Sequence, residues 1–325
     1  MTTFKEIRGT AVQSVSTDPS NPESGQLWYN NSIGVLKGYQ LSADAWASGG
    51  NLNTGRNGLA GASAGTQTLA AVFGGRVTTT SSNATEEYDG TTWTNGGNLS
   101  TARQTLAGAG TQTSALAFCG YDGSNPLQGT EEYDGSSWTA GGNYGTATRL
   151  ISGCGTQTAG LGFGGFTTAV TSATKEYDGS AWTAGGNLGT AKYNPGAAGT
   201  QTSALGFGGY LSPGASSSSE EYDGTSWTAG GSMAASGAGN GCGTQTSALG
   251  FGIYGNGVTQ KYDGTSWTNT ASLATARSAL GSCGTQAAGL GAGGYVSSGN
   301  QNFTGTEEFT AGGTLVTKTI TTSTS

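Results

Sequence analysis

Apolar residues in this chain fall in short runs, and each run is closed by turn residues. Thr105-Leu106-Ala107-Gly108-Ala109 reads as a small-residue strand, and Gly110-Thr111-Gln112-Thr113 turns it into a second, Ala115-Leu116-Ala117-Phe118. A polar loop leads to a third strand, Glu131-Glu132-Tyr133. Asp134-Gly135 is a hairpin turn of the kind that takes positive φ, and Ser137-Trp138-Thr139 opens a fourth strand. No segment of useful length avoids glycine or β-branched residues, so no helix is expected.

The same pattern recurs. Tryptophans at 46, 93, 138, 182, 227 and 267 lie 40 to 47 residues apart, and Gly-Thr-Gln recurs with glutamines at 67, 112, 157, 201, 245 and 286. A third marker is the apolar run ending in Gly-Gly, as in Leu205-Gly206-Phe207-Gly208-Gly209. Four short strands per unit of this length are the signature of a propeller blade. Six units predict an all-β, six-bladed ring, in which the Trp46 strand completes the sheet of Glu307-Glu308-Phe309 and leaves no open edge. The alternative is a seven-bladed ring that takes residues 10–48 as a further blade.

Composition sharpens this picture. Glycine makes up 62 of 325 residues, yet there is no Gly-X-Y period, and 7 Trp, 13 Tyr and 9 Phe are too much core material for a disordered chain. Histidine is absent, which removes Ser/His/Asp and Cys/His nucleophilic chemistry and every His-ligated metal site. The net charge of −7 argues against nucleic-acid binding, and no apolar run is long enough to span a membrane as a helix. The first residues lack the apolar run of a secretory signal.

The order basic residue, apolar strand, Gly-Gly, Tyr-Asp and Trp resembles the Kelch repeat over about 80% of the chain. Departures stand at Cys119-Gly120, at Gly252-Ile253 and at Phe309, which no Asp-Gly or Trp follows. The resemblance implies a Kelch-like propeller over residues 46–325. Copper radical oxidases of this fold use histidine ligands, which this chain lacks. Residues 1–45 differ: Gln26-Leu27-Trp28-Tyr29, the turn Asn30–Gly34 and Val35-Leu36-Lys37-Gly38-Tyr39 form a β-hairpin extension. It is similar to N-terminal hairpins of structural proteins of tailed bacterial viruses.

Four features invite chemistry. Cys154, Cys242 and Cys283 occupy positions held by Ala64, Ala109 and Ala198 in other units, so they read as buried free thiols, and Cys119 stands in a glycine position. Neighbouring glutamates such as Glu131 and Glu132 point to opposite faces of a strand and cannot act together on one substrate. Instead Arg56, Arg103, Arg149, Lys192 and Arg277 recur before first strands, and the fifth unit loses base and acids together (Ser236-Gly237, Gln260-Lys261), which predicts structural ion pairs. Glycine-rich matches to phosphate loops carry no Walker ending. Finally, the second–third connections vary in length and are polar, with Tyr121, Asp122, Phe166, Tyr210, Tyr254 and Tyr295 at or near their roots.

These readings predict a non-enzymatic virion protein (tail fibre, head fibre or decoration protein) without cofactor or metal. Its loops are candidate receptor-binding sites, for host-surface attachment to a glycan or protein. Trp28, Tyr29, Leu36 and Tyr39 are candidate docking residues toward other virion proteins, and a homo-oligomer fits the same pattern. A cellular protein- or glycan-binding propeller and a carbohydrate-active enzyme are the rival classes.

Overall fold

The computed structural model describes residues 12–23, 25–237, 239–296, 301–313 and 315–320. Two compact units divide the chain: residues 45–310 form one, and residues 1–44 with 311–325 form the other. The larger unit holds six four-stranded antiparallel sheets among the described residues. The second sheet is typical, with strands Ala107–Thr111, Ser114–Phe118, Thr130–Tyr133 and Trp138–Ala140. First strands of consecutive sheets lie side by side, and that of the sixth (Gly281–Gly284) returns to that of the first (Ala60–Gly61). The ring closes with a strand from its own N-terminal end. Ala45–Ser48 pairs with Thr306–Thr310, setting Trp46 opposite Phe309 and Ala47 opposite Glu308. Residues 13–41 contribute no strand to this ring, so the seven-bladed alternative is not what forms.

Core side chains lie between sheets. Trp138 packs at a tilt against Tyr133 of its own strand pair at 4.9 Å and edge-on against Phe73 of the preceding sheet at 4.8 Å. Its indole N–H donates to Thr85 Oγ1 of that sheet at 2.9 Å. Trp46, Trp93, Trp182, Trp227 and Trp267 each donate to the equivalent Thr or Ser. The repeated glutamines do more than turn the chain. Gln112 Nε2 donates to Ala70 O and Tyr88 O of the preceding sheet, and Gln67, Gln157, Gln201, Gln245 and Gln286 bridge the corresponding carbonyls.

A second latch explains the Gly-Gly that ends most sheets. Tyr133 OH donates to Glu87 of the preceding sheet at 2.5 Å and accepts from Gly97 N at 3.2 Å. Tyr88, Tyr177, Tyr222 and Tyr262 make the same contacts with Glu308, Glu132, Glu176 and Glu221. A Cβ on Gly96 would lie 2.5 Å from Tyr133 OH, and one on Gly97 2.1 Å from Ser136 O. Glycine is therefore required where the neighbouring sheet brings a tyrosine and an Asp-Gly turn. At the fifth–sixth junction the neighbour brings Phe309 and neither. There Thr270-Ala271 replaces Gly-Gly, and Lys261 replaces the glutamate, its ammonium 5.3 Å from the Phe309 ring centroid.

Around the axis, Gly58, Thr105, Leu150, Asn194 and Ala279 hold equivalent left-handed conformations, with φ between 52° and 61°. Thr105 N donates to Gly58 O, Leu150 N to Thr105 O, and Asn194 N to Leu150 O, so a backbone belt imposes the strained φ on four non-glycine residues.

The smaller unit is more than a hairpin. Leu27–Asn30 and Val35–Leu41 pair as expected, but Gln13–Val15 adds a parallel edge and Leu315–Ile320 an antiparallel one. The boundary between the units falls after Asp44, and residues 311–325 group with this smaller unit. Asp18 accepts from Trp28 Nε1, Asn30 Nδ2 and Lys37 Nζ, and these donors, Lys37 foremost, hold its carboxyl down at about 2.

Two outcomes follow from the latch. Phe309→Tyr alone should lower stability by about 1–3 kcal/mol in thermal unfolding, because the new hydroxyl meets Thr270 and finds no carboxylate. Adding Lys261→Glu and Thr270→Gly should restore it; no recovery in the triple variant would refute the latch. Second, burial and then the glutamate hydrogen bond raise the five latch tyrosines from 10.0 to about 12. A raised pKa gives stability that is complete below pH 10 and lost as pH climbs toward 12. Absorbance at 295 nm should show these tyrosines ionising together with unfolding, not before it.

Candidate functional site

In each sheet the first–second and third–fourth turns emerge at one rim, and the second–third connections at the other. On the turn rim, Asp89, Asp134, Asp178, Asp223 and Asp263 are exposed. Each caps its own turn: Asp89 Oδ1 accepts from Thr91 Oγ1, Thr92 N and Thr91 N, which pull its carboxyl below the usual carboxylate range. These aspartates are structural.

The loop rim is built on the basic residues. Arg103 Nη2 pairs with Glu131 at 2.7 Å, and its Nη1 donates to Cys119 O and Gly129 O, the two ends of the second–third loop. Arg56–Glu86 repeats this arrangement at 2.9 Å, and Lys192–Glu220 and Arg277–Glu307 pair at 3.0 and 3.3 Å. Burial pulls Arg277 down to about 10, with Glu307 opposing the shift. In these four units the base thus sits at the neck of the loop.

Arg149 departs from the expected pairing. Its unit carries Thr148 two residues before the left-handed Leu150, where Arg103 precedes Thr105, and Lys175 where four other units have the first glutamate. Thr148 is buried, and Lys175 Nζ donates to Tyr144 O. Arg149, one position later, is half-buried and makes no ion pair among the described residues. Its guanidinium carbon lies 5.0 Å from the Tyr121 centroid and 5.3 Å from that of Phe166. Phe166 meets Tyr193 edge-on at 6.1 Å, and Tyr193 stacks on Tyr210 at 5.4 Å. Three predicted loop residues, Tyr121, Phe166 and Tyr210, are thereby joined in one row by Arg149 and Tyr193, which sequence reasoning missed. The signal was present in the one-residue offset of Arg149 and in Lys175.

The remaining predicted positions are placed differently. Asp122 is exposed and caps a turn, accepting from Ser124 N and Asn125 N. Tyr295 is half-buried in a short hairpin with Asn302. Tyr254 is the middle residue of a one-turn 3-10 segment, Ile253–Gly255, and its side chain lies outside the described residues. Of the docking candidates, Trp28 is fully buried and offers no surface, whereas Tyr29 is 41% exposed. Leu36 and Tyr39 are half-buried.

A cavity of about 150 Å³ runs between the first strands, lined by small residues and by polar groups such as Ser63, Thr105, Asn194 and Asn240, with no charged side chain. All four cysteines are free and buried, and burial raises Cys154 and Cys283 to about 12, which makes them poor nucleophiles. No cluster of three or more acidic or cysteine side chains able to hold a metal occurs among the described residues.

No family model matches the chain, and no curated protein matches it. A solved structure described as that of YjhT superposes with a TM-score of 0.65 at 10% identity, over 82% of this chain and 99% of that one. The fold is a β-propeller. At that identity the likeness speaks for the propeller architecture alone.

The two arginine environments predict different costs. Arg103→Ala leaves Glu131 buried and unpaired and should cost about 3–5 kcal/mol in thermal or denaturant unfolding. Arg149→Ala should stay within about 1 kcal/mol of the parent. Equal losses would contradict the assignment of Arg149 to the surface row.

Proposed function

We propose that this propeller is a non-enzymatic structural protein of a tailed bacterial virus, a fibre or decoration protein that presents its loop rim for attachment to a host surface. The observation that carries the reading is the division of the chain. The N-terminal hairpin, similar to those of virion proteins, gathers the C-terminal strand into a unit of its own, and a rigid ring bears the variable loops. The Kelch-like order of motifs within each unit supports the same assignment. Tyr29, Ile33 and Leu41 are 41%, 59% and 56% exposed and supply apolar contacts for another virion protein.

A non-catalytic role is supported by the engagement of the repeat carboxylates. Glu86, Glu131, Glu220 and Glu307 pair with bases, while Glu87, Glu132, Glu176, Glu221 and Glu308 accept from tyrosines. None is left to serve as a general acid or base.

The test is particle occupancy. Full-length protein carrying Tyr29→Ser and Ile33→Ser should fold with an unchanged melting temperature and be recovered in purified particles at well under half the parental amount by quantitative mass spectrometry. Unchanged occupancy, or absence of the parent chain from particles, would overturn this reading.

A further inference from the structure

We infer that the row Tyr121, Arg149, Phe166, Tyr193 and Tyr210 is a binding site for a carboxylate-bearing saccharide. The inference deepens the attachment reading above and rests on it only for the biological source of the ligand.

Three observations converge. The first is the guanidinium itself. Arg149 lies between two aromatic rings, has no carboxylate partner among the described residues, and keeps its Nε buried without a hydrogen bond. A planar guanidinium held against aromatic rings and lacking a carboxylate of its own is preorganised for one. The second is the row. Tyr121, Phe166, Tyr193 and Tyr210 are each half-buried, so the row is partly open to solvent. Pyranose rings bind aromatic surfaces through their C–H faces, and the row continues beyond Arg149 from Phe166 to Tyr193 and Tyr210 in centroid steps of 6.1 and 5.4 Å.

The third is charge. The chain carries −7 overall, and five exposed aspartates crowd the opposite rim. Apart from the buried pairs, the loops and the approaches to the first strands on this rim carry only Arg76, Asp122 and Arg149 among the described residues. An anion therefore meets a mildly positive face here and a repulsive one at the other end. A neutral sugar would leave Arg149 unpaired. An acidic peptide would satisfy the arginine without using the aromatic row.

Titration calorimetry of the full-length chain with tri-galacturonate tests the site, with the neutral galactose trimer and a tri-glutamate peptide as comparators. Tri-galacturonate should bind at least tenfold more tightly than either. Arg149→Ala and Tyr193→Ala should each weaken it tenfold or more, and Arg149→Lys should recover only part, with melting temperatures unchanged. Absence of tri-galacturonate binding, equal binding of a comparator, or binding indifferent to Arg149→Ala would overturn the inference. Particle occupancy is read on the other unit, so failure here leaves the virion reading standing and failure there leaves the saccharide site standing.

Discussion

The ring depends on how one sheet holds the next. At most junctions a tyrosine hydroxyl donates a hydrogen bond to a glutamate of the preceding sheet and accepts one from a glycine amide, within a seam that also holds a Trp–Thr bond and a glutamine bridging two carbonyls. Each is an ordinary hydrogen bond, and in a largely dry seam an unmade one would cost more than a made one contributes. The latch itself therefore comes or goes as a set. Its demands reach back into the sequence: glycine must sit where the hydroxyl and the next turn approach, and small residues must line the first strands.

The fifth–sixth junction shows that this is a constraint and not a habit of the repeat. When Phe309 removes the hydroxyl, the glutamate and both glycines vanish with it, and Lys261 faces the ring instead. A single chain thus carries its own substitution experiment. The Gln bridge survives there, Gln286 still reaching Ala248 O and Tyr262 O of the fifth sheet, because it uses only backbone acceptors that any residue supplies.

The same economy separates structure from recognition. Four of the basic residues are consumed in closing loop necks, and the turn aspartates in capping turns. In the third unit the base is displaced by one residue, and the guanidinium emerges among aromatic side chains contributed by three consecutive units. No single loop contains this row. It exists because the ring sets the root of each loop beside the approach to the next first strand.

Much of this was legible in the amino-acid order. The repeat length, the four strands, the Trp46 closure and the free thiols follow from spacing and from Ala/Cys interchange, since local turn chemistry and period-2 burial act within a few residues. The pairing of bases with acids was legible from their joint loss in the fifth unit, but Arg149 was misassigned because a one-residue offset matters only against the left-handed belt. The passage of 311–325 into the terminal unit, the bridging by the six glutamines and the left-handed Thr105, Leu150, Asn194 and Ala279 were not legible. Each is imposed by partners more than twenty residues away in sequence. The chain by itself determined the strands and their count; which side chains meet across the seams and at the rim was decided only when closure brought distant backbone into hydrogen-bond range.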